Sequence, residues 1–155
     1  MRLAIILFAL VLPLALPAQT IGPRDGWAVH ASDTPYEGMI AAVKDAARAN
    51  GLGVVTEAGP TGAARARGID IPGNRVIGLF NNDFAVRILR LSTAAMIEAP
   101  IRVYVTEGAD GLATLAYKTP SHVFAPYMDE GGAALAEVAA ELDELFAAMA
   151  EAALE

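Results

Sequence analysis

The sequence predicts an α+β domain in which a largely antiparallel sheet of about five strands is covered on one face by two main helices. Two observations carry this prediction. Several short segments alternate apolar and polar residues with the period of a half-buried strand, whereas two longer segments repeat apolar residues every three or four positions, as a helix does. The predicted order of strand, helix, two strands, short helix, hairpin and helix then favours an α+β arrangement with one covered sheet face.

The composition limits the class of protein. The chain has 155 residues, with 11 basic and 18 acidic side chains and a formal net charge of -7 at pH 7. Because no basic tract offsets this acidic balance, nonspecific nucleic-acid binding and attraction to anionic membranes are disfavoured. Cysteine is absent, which excludes disulfides, thiol chemistry and thiolate metal sites. No cofactor and no nucleic-acid partner are predicted.

Residues 1–18 are typical of a cleaved secretory signal peptide. A single arginine, a run of apolar residues and a final alanine form its three expected regions. The alternative is a retained membrane anchor, which is disfavoured because the apolar run is short and two prolines interrupt it. We therefore expect residues 19–155 to form one domain that is exported to a bacterial periplasm or secreted, without stable membrane insertion.

The first strand is expected at residues 26–32, and a helix that ends before Gly51 is expected to follow it. Thr34, Pro35 and Glu37 indicate the start of this helix. A capping threonine, a proline at the first helical position and a glutamate three residues after the cap form a capping box. The buried stripe of this helix is expected to contain Tyr36, Met39, Ile40, Val43, Ala46 and Ala47.

Two strands and a short helix are expected in the middle of the chain. The strands are predicted at residues 53–58 and 74–81, separated by a Gly- and Ala-rich segment with one loose helical turn. The second of these is apolar almost throughout, which is typical of an interior strand. The short helix is expected at residues 84–96, with Asn82 or Asp83 as its cap.

A hairpin at residues 101–118 and a long helix at residues 133–154 complete the predicted domain. The hairpin turn contains Gly111, which accepts the positive φ of a tight turn, and Pro120 ends the return strand. A connector at residues 126–132 is expected to lead into the final helix. The apolar stripe of that helix is expected to contain Leu135, Val138, Leu142, Leu145, Phe146 and Met149.

Four segments, RVIGLFNND, IEAPIRVYV, GADG and LAYKTPSHVF, resemble the family known as domain of unknown function 302. The resemblance covers about residues 27–127. It rests on a proline before a strand, an acidic-Gly turn and a Tyr-x-x-Pro ending, here Pro100, Gly111 with its preceding aspartate, and Tyr117 with Pro120. The resemblance implies a β-α-β4-α fold similar to that of TATA-binding protein and a homodimer, and it implies no activity.

The best-placed polar cluster is Asn81, Asn82 and Asp83, at the end of a predicted strand and the start of a helix. Helix N-termini attract anions, and strand ends open onto clefts. Together with Arg87 and Tyr117, this cluster is the predicted binding site for a small anionic or amphipathic ligand. The alternative is that Asn82 or Asp83 simply caps the helix.

Other candidate groups carry weaker signals. His30 and His122 lack the spacing of metal ligands, so no metal or haem site is predicted, and His30 is expected on the open face of its strand. Ser121, His122 and Asp129 could supply a nucleophile, a base and an orienting acid, but adjacent residues on an extended chain point apart. No catalytic residue is therefore predicted. Six arginines could form an anion pocket, meet the acidic final helix of a partner subunit, or lie scattered on the surface in pairs with Asp70, Asp83 and Glu98: Arg65, Arg67, Arg75, Arg87, Arg90 and Arg102.

Two functions therefore compete at the level of sequence. In the first, the protein is an exported, non-catalytic interaction module that forms a homodimer through the sheet face without helices. In the second, a cleft near Asn82, Arg87 and Tyr117 binds a small ligand. A contiguous apolar patch on the uncovered face would favour the first function, whereas polar groups that converge on a concave apolar pocket would favour the second. An enzyme would need a titratable pair within hydrogen-bond reach in that cleft.

Overall fold

A computed structural model describes residues 21–155, so the predicted signal peptide lies outside the described residues. In this part of the chain five strands form one sheet: β1 (Trp27–Pro35), β2 (Gly53–Ala58), β3 (Asn74–Phe80), β4 (Ile101–Glu107) and β5 (Leu112–Lys118). Their spatial order is β1-β5-β4-β3-β2, and every neighbouring pair is antiparallel. The predicted α+β class is confirmed, and β3 is an interior strand as expected.

Five helices connect and cover these strands within residues 21–155: α1 (Tyr36–Ala49), α2 (Thr61–Arg65), α3 (Asn82–Leu91), α4 (Pro120–Phe124) and α5 (Met128–Leu154). The backbone of Gly132 leaves the helical region inside α5, with φ 55° and ψ -149°. The expected connector at residues 126–132 is thus mostly helical. Within residues 21–155, none of the helices combines the length and the apolar character of a membrane-spanning segment.

The register of the strands divides the sheet into two faces. Residues that stand opposite each other in a ladder share a face, and successive residues of a strand alternate between faces. The face that we call the helix face packs against α1 and α5. Its buried side chains include Ile77, Leu79, Val103, Val105, Leu115 and Tyr117. The opposite face, the cleft face, therefore carries the alternate residues of the same strands.

The predicted helix stripes agree with this packing. All six residues expected in the stripe of α1 are buried. In α5, five of the expected residues are buried and Leu145 is partly buried against the core. The order β1-α1-β2-β3-β4-β5-α5 matches the β-α-β4-α arrangement that the family resemblance implies.

The predicted capping box at the start of α1 is wrong. β1 continues through Thr34 to Pro35, which precedes the helix without a side-chain cap. The backbone N–H of Tyr36 donates instead to the carbonyl of Gly111, at 3.2 Å, in the turn between β4 and β5. Thr34 and Pro35, which the local pattern assigned to the start of the helix, therefore belong to the strand that pairs with β5.

The short helix α3 also differs from its predicted limits of 84–96. It ends at Leu91, and a separate 3₁₀ turn follows it. Asn81 caps this helix, whereas the prediction named one of the two next residues. Its Oδ1 accepts hydrogen bonds from the backbone N–H groups of Asp83 and Phe84, at 2.9 and 3.2 Å. An asparagine that directly follows a strand can cap the next helix when no loop intervenes.

Replacing Leu115 with alanine tests the packing of the helix face. The free energy of unfolding is expected to fall by about 2–5 kcal/mol, because this fully buried side chain would leave a cavity. The matched control is Leu89→Ala, since Leu89 is 50% exposed on α3. Its expected effect lies within about 0.5 kcal/mol. Urea denaturation measures both variants, and equal destabilisation would contradict the packing described.

Candidate ligand-binding cleft

A cleft of about 520 Å³ lies on the cleft face of the sheet. We call it the sheet cleft. Four strands contribute its floor, through Trp27, Asn74, Val76, Arg102, Tyr104 and Lys118. The connecting segments contribute its wall, through Glu98, His122, Val123 and Pro126. The cleft is therefore built from residues that lie far apart in the sequence.

The strand register explains why two cations meet at the floor. Tyr117 lies on the helix face, so Lys118, the next residue of β5, points to the cleft face. Val103 pairs with Tyr117, and the ladder therefore places Arg102 opposite Lys118 at the adjacent position. Directly opposite side chains on one face have Cβ atoms about 4.5–5.5 Å apart. An arginine and a lysine are thus neighbours in the sheet cleft.

Neither Arg102 nor Lys118 forms an ion pair with a carboxylate of residues 21–155. Like charges that stand opposite each other in a sheet destabilise it, and a bound anion removes that repulsion. Guanidinium and ammonium groups also donate strong, charge-assisted hydrogen bonds to carboxylates and phosphates. The floor of the cleft therefore favours an anionic group.

Aromatic rings flank these cations. The ring of Trp27 lies 5.2 Å from the guanidinium carbon of Arg24 and 5.8 Å from Nζ of Lys118. Cation–π attraction at such exposed sites contributes about 0.5–1 kcal/mol. The hydroxyl of Tyr104 accepts a hydrogen bond from Nδ2 of Asn74, which orients the tyrosine ring. The cleft thus combines oriented aromatic surfaces with cations.

The wall formed by α4 is tied to the start of β1 and to α5. The backbone N–H of Thr119 donates to the carbonyl of Gly26, at 2.9 Å, and the backbone N–H of Ser121 donates to Oδ1 of Asp143, also at 2.9 Å. Gly26 has a φ of 73°, and a Cβ there would come within 2.1 Å of Nδ1 of His122. Only glycine can adopt this positive φ and leave room for the His122 ring without strain.

Glu98 adds an acidic group to the cleft. The hydroxyl of Tyr127 donates to Oε1 of Glu98 at 2.7 Å. This hydrogen bond raises the pKa of Tyr127, because a phenolate would stand beside a carboxylate. Tyr127 therefore remains a donor at neutral pH and holds one oxygen of Glu98 in place.

Five residues were predicted to bind a ligand together: Asn81, Asn82, Asp83, Arg87 and Tyr117. In the structure Asn81 caps α3, and its Nδ2 donates to the carbonyl of Gly51 at 3.0 Å. It borders a separate apolar cavity of about 30 Å³. Arg87 forms a bidentate ion pair with Glu141 of α5, with both N···O distances 2.6 Å. Asn82 and Asp83 are exposed in the first turn of α3.

Tyr117 is the member of that predicted set that borders the sheet cleft. Its ring lies in the core, 5.7 Å from the ring of Phe146 and 6.3 Å from that of His30. Burial raises the pKa of Tyr117, and the charges of Asp143 and Glu151 raise it further. The stacked His30 shares the helix face, contrary to the expectation of an open face, because its ladder position pairs it with a core leucine of β5.

The structure also shows where the candidate arginines and the candidate nucleophile Ser121 lie. Of the six arginines, Arg102 lines the sheet cleft, and Arg87 meets the acidic final helix of its own chain. The hydroxyl of Ser121 lies 3.4 Å from that of Thr119. Among residues 21–155, histidine, aspartate and glutamate side chains form no group of three that could hold a metal ion.

Sequence reasoning missed Trp27, Tyr104 and Lys118 as site residues. Tyr104 and Lys118 alternate with core residues along β4 and β5, and this alternation was visible in the sequence. The pairing of β1 with β5, which brings Trp27 beside Lys118, was not visible.

Replacing Gly26 with alanine tests the junction between β1 and α4. The variant is expected to lose about 1–2 kcal/mol of folding free energy from backbone strain alone, and more from the clash with His122. The double variant with His122→Ala should recover the clash component only. The matched control is Gly22→Ala, since a Cβ at Gly22 meets nothing within 4 Å. Thermal melts compare the variants, and a Gly26→Ala protein as stable as the control would contradict the strained junction.

The Arg87–Glu141 ion pair predicts a pH-dependent contribution to stability. The guanidinium lowers the pKa of Glu141 below its usual value. Such a carboxylate stabilises the fold above its unfolded-state pKa, and the contribution is lost as the pH falls through the folded-state pKa. Glu141→Gln is therefore expected to melt slightly below the wild-type protein at neutral pH, with a difference that shrinks in acid and in high salt.

The matched control for this pH dependence is Glu144→Gln, an exposed residue of the same helix without a described ion pair. Melting temperatures at neutral and acidic pH measure both variants. A decrease of the same size and pH dependence in the control would show that the ion pair contributes nothing specific.

Comparisons with known proteins agree with this architecture. The sequence matches the family described as "Domain of unknown function DUF302" over residues 28–153. The fold is similar to the crystal structure of an uncharacterized conserved DUF302 protein from Bacillus stearothermophilus, with a TM-score of 0.73 and 18% identity. That similarity covers 83% of this chain and 98% of the other. No curated protein matches the sequence. The chain therefore belongs to the DUF302 family, as its strand and turn motifs indicated.

Proposed function

We propose that this protein binds a small ligand, anionic in part and with an apolar or aromatic body, in the sheet cleft. The observation that carries this proposal is the pair of cations, Arg102 and Lys118, on a floor that also presents Trp27 and Tyr104. Ligand sites typically occupy about 300–1,000 Å³ and place a few polar groups on an apolar surface. The volume of about 520 Å³ lies within that range.

The cations and the aromatic rings of the cleft have different roles in the proposed binding. The two cations supply the favourable binding energy for a carboxylate, sulfonate or phosphate, since hydrogen bonds to charged groups are the strong ones. The rings of Trp27 and Tyr104 supply apolar surface for the rest of the ligand. Because Asn74 is hydrogen-bonded to the tyrosine hydroxyl and the Trp27 ring contacts two cationic groups, binding requires little further ordering of these side chains.

This proposal moves the site away from Asn82 and Arg87, and it keeps Tyr117 at the border of the cleft. The move is supported by the bidentate pairing of Arg87 with Glu141, which occupies the guanidinium edge that an anion would use. Asn81 is likewise engaged as a helix cap. A ligand site around α3 stays a sequence-based prediction, and the variants below distinguish the two locations.

Assembly through the uncovered sheet face is the competing function predicted from the sequence. That face presents Arg102 and Lys118 at the cleft floor, so its charge supports ligand binding over an apolar subunit interface. Export and a homodimer stay predictions. Native mass spectrometry of the purified protein addresses both alternatives, because a bound small molecule adds its own mass and a dimer doubles the protein mass.

Binding can be followed through Trp27, which is the single tryptophan of the chain and lies in the cleft. The probes are 3-phenylpropionate and indole-3-acetate, with their neutral amides as matched controls. We expect the acids to change the Trp27 emission in a saturable way and to bind more tightly than the amides, because only the acids pair with the cations. Calorimetry confirms the affinities.

Arg102→Gln and Lys118→Gln are each expected to weaken binding of the acids by about tenfold or more, since each removes one charge-assisted interaction. The matched control is Arg90→Gln, an exposed arginine of α3, which should retain wild-type affinity. Arg87→Gln tests the site predicted from the sequence. Loss of binding in Arg87→Gln, with unchanged binding in Arg102→Gln, would overturn the proposed cleft.

A further inference from the structure

We infer that the ligand of the sheet cleft is a zwitterion, with an acidic group, an aromatic or other planar apolar body, and a separate cationic group. An aromatic amino acid is the simplest molecule of this class. The inference rests on the proposed function, because it concerns the same cleft. The observation behind it is that Glu98 lines the cleft together with Arg102 and Lys118 and forms an ion pair with neither.

The carboxylate of Glu98 can accept more hydrogen bonds than it does in this structure. A carboxylate can accept about four hydrogen bonds. Among the described residues, its side chain makes one hydrogen bond, from the Tyr127 hydroxyl to Oε1 at 2.7 Å. That bond orients the carboxylate without neutralising its charge, because a phenol is an uncharged donor. Glu98 is thus a half-buried, oriented and uncompensated negative group beside the ligand space.

The acid and the cations belong to different parts of the cleft. Arg102 and Lys118 rise from the floor, on β4 and β5. Glu98 ends the 3₁₀ turn before β4 (Ala94–Glu98) and accepts a hydrogen bond from Tyr127 in the 3₁₀ turn after α4 (Ala125–Tyr127), so it belongs to the wall. A single small ligand can therefore direct an acidic group to the floor and a cationic group to the wall. The rings of Trp27 and Tyr104 lie on the same floor and can contact its body.

Specificity follows from this charge arrangement. A simple anion that pairs with the floor cations still meets the negative charge of Glu98, and a simple cation that pairs with Glu98 still meets the floor cations. Each mismatched charge lowers affinity, which is how a site excludes ligands of the wrong chemistry. A zwitterion satisfies both groups at once. The cleft therefore selects for opposite charges at two points of one small molecule.

Three probes of nearly equal size separate these possibilities in the wild-type protein. Phenylalanine carries both charges, 3-phenylpropionate carries only the acid, and phenethylamine carries only the cation. We expect phenylalanine to bind at least about tenfold more tightly than 3-phenylpropionate, with phenethylamine the weakest. Trp27 fluorescence and calorimetry measure the three affinities. This ranking needs no variant, so it holds even if a substitution disturbs folding.

Glu98→Gln then assigns the preference to the proposed group. The variant is expected to lose about tenfold in affinity for phenylalanine while its affinity for 3-phenylpropionate stays equal or rises, because the repulsion is removed. The control Glu144→Gln, on the exposed side of α5, should leave both affinities unchanged. Tyr127→Phe, which frees the carboxylate without removing it, should lower the affinity for phenylalanine by less than Glu98→Gln does.

The outcomes separate this inference from the proposed function. If 3-phenylpropionate binds as tightly as phenylalanine and still depends on Arg102, the zwitterion inference fails and the anion-binding cleft stands. The same holds if Glu98→Gln weakens both probes equally. If none of the three probes nor indole-3-acetate binds, the proposed function itself fails.

Discussion

Burial of one face of the central hairpin beneath α1 and α5 is the constraint on which the rest of the structure depends. Leu115 and Val103 are fully buried on that face, and the ring of Tyr117 contacts that of Phe146. A slip of one residue in β4 or β5 would turn these side chains to the opposite face and expose them. The hydrophobic cost of such a slip holds the register, and the register in turn determines which residues reach the cleft face.

The cleft is a consequence of that register. With Tyr117 directed to the core, Lys118 is directed to the other face, and the same alternation in β4 presents Arg102 beside it. The wall depends on the core as well, since Ser121 of α4 is hydrogen-bonded to Asp143 of α5. Packing of the helices on the helix face thus positions the charged residues of the cleft face. The helix α4, which follows β5, connects the cleft wall to α5.

The candidate site was only partly predictable. Local rules placed a polar cluster at the start of α3, and the structure uses Asn81 of that cluster to cap the helix. Arg87 was recognised as suited to an anion, but its partner is Glu141, 54 residues away. Local sequence patterns carry no information on such a partner, because the approach of α3 to α5 is a matter of packing. Lys118 was missed, and Arg102 was recognised only as one of six candidate arginines, for the same reason, since these two cations become neighbours only through strand pairing.

The sequence by itself determined the fold class, the approximate positions of the five strands and of α1, α3 and α5, the buried stripes of α1 and α5, and the family. These features depend on the spacing of apolar residues and on turn chemistry, which act over a few positions. Only the tertiary structure decided that β1 pairs with β5, that β1 extends to Pro35 in place of a helix cap, and that Glu98, Arg102 and Lys118 share one cleft. Those outcomes depend on contacts between segments that are distant in the sequence, and these contacts form only when the strands pair and the helices pack on the sheet.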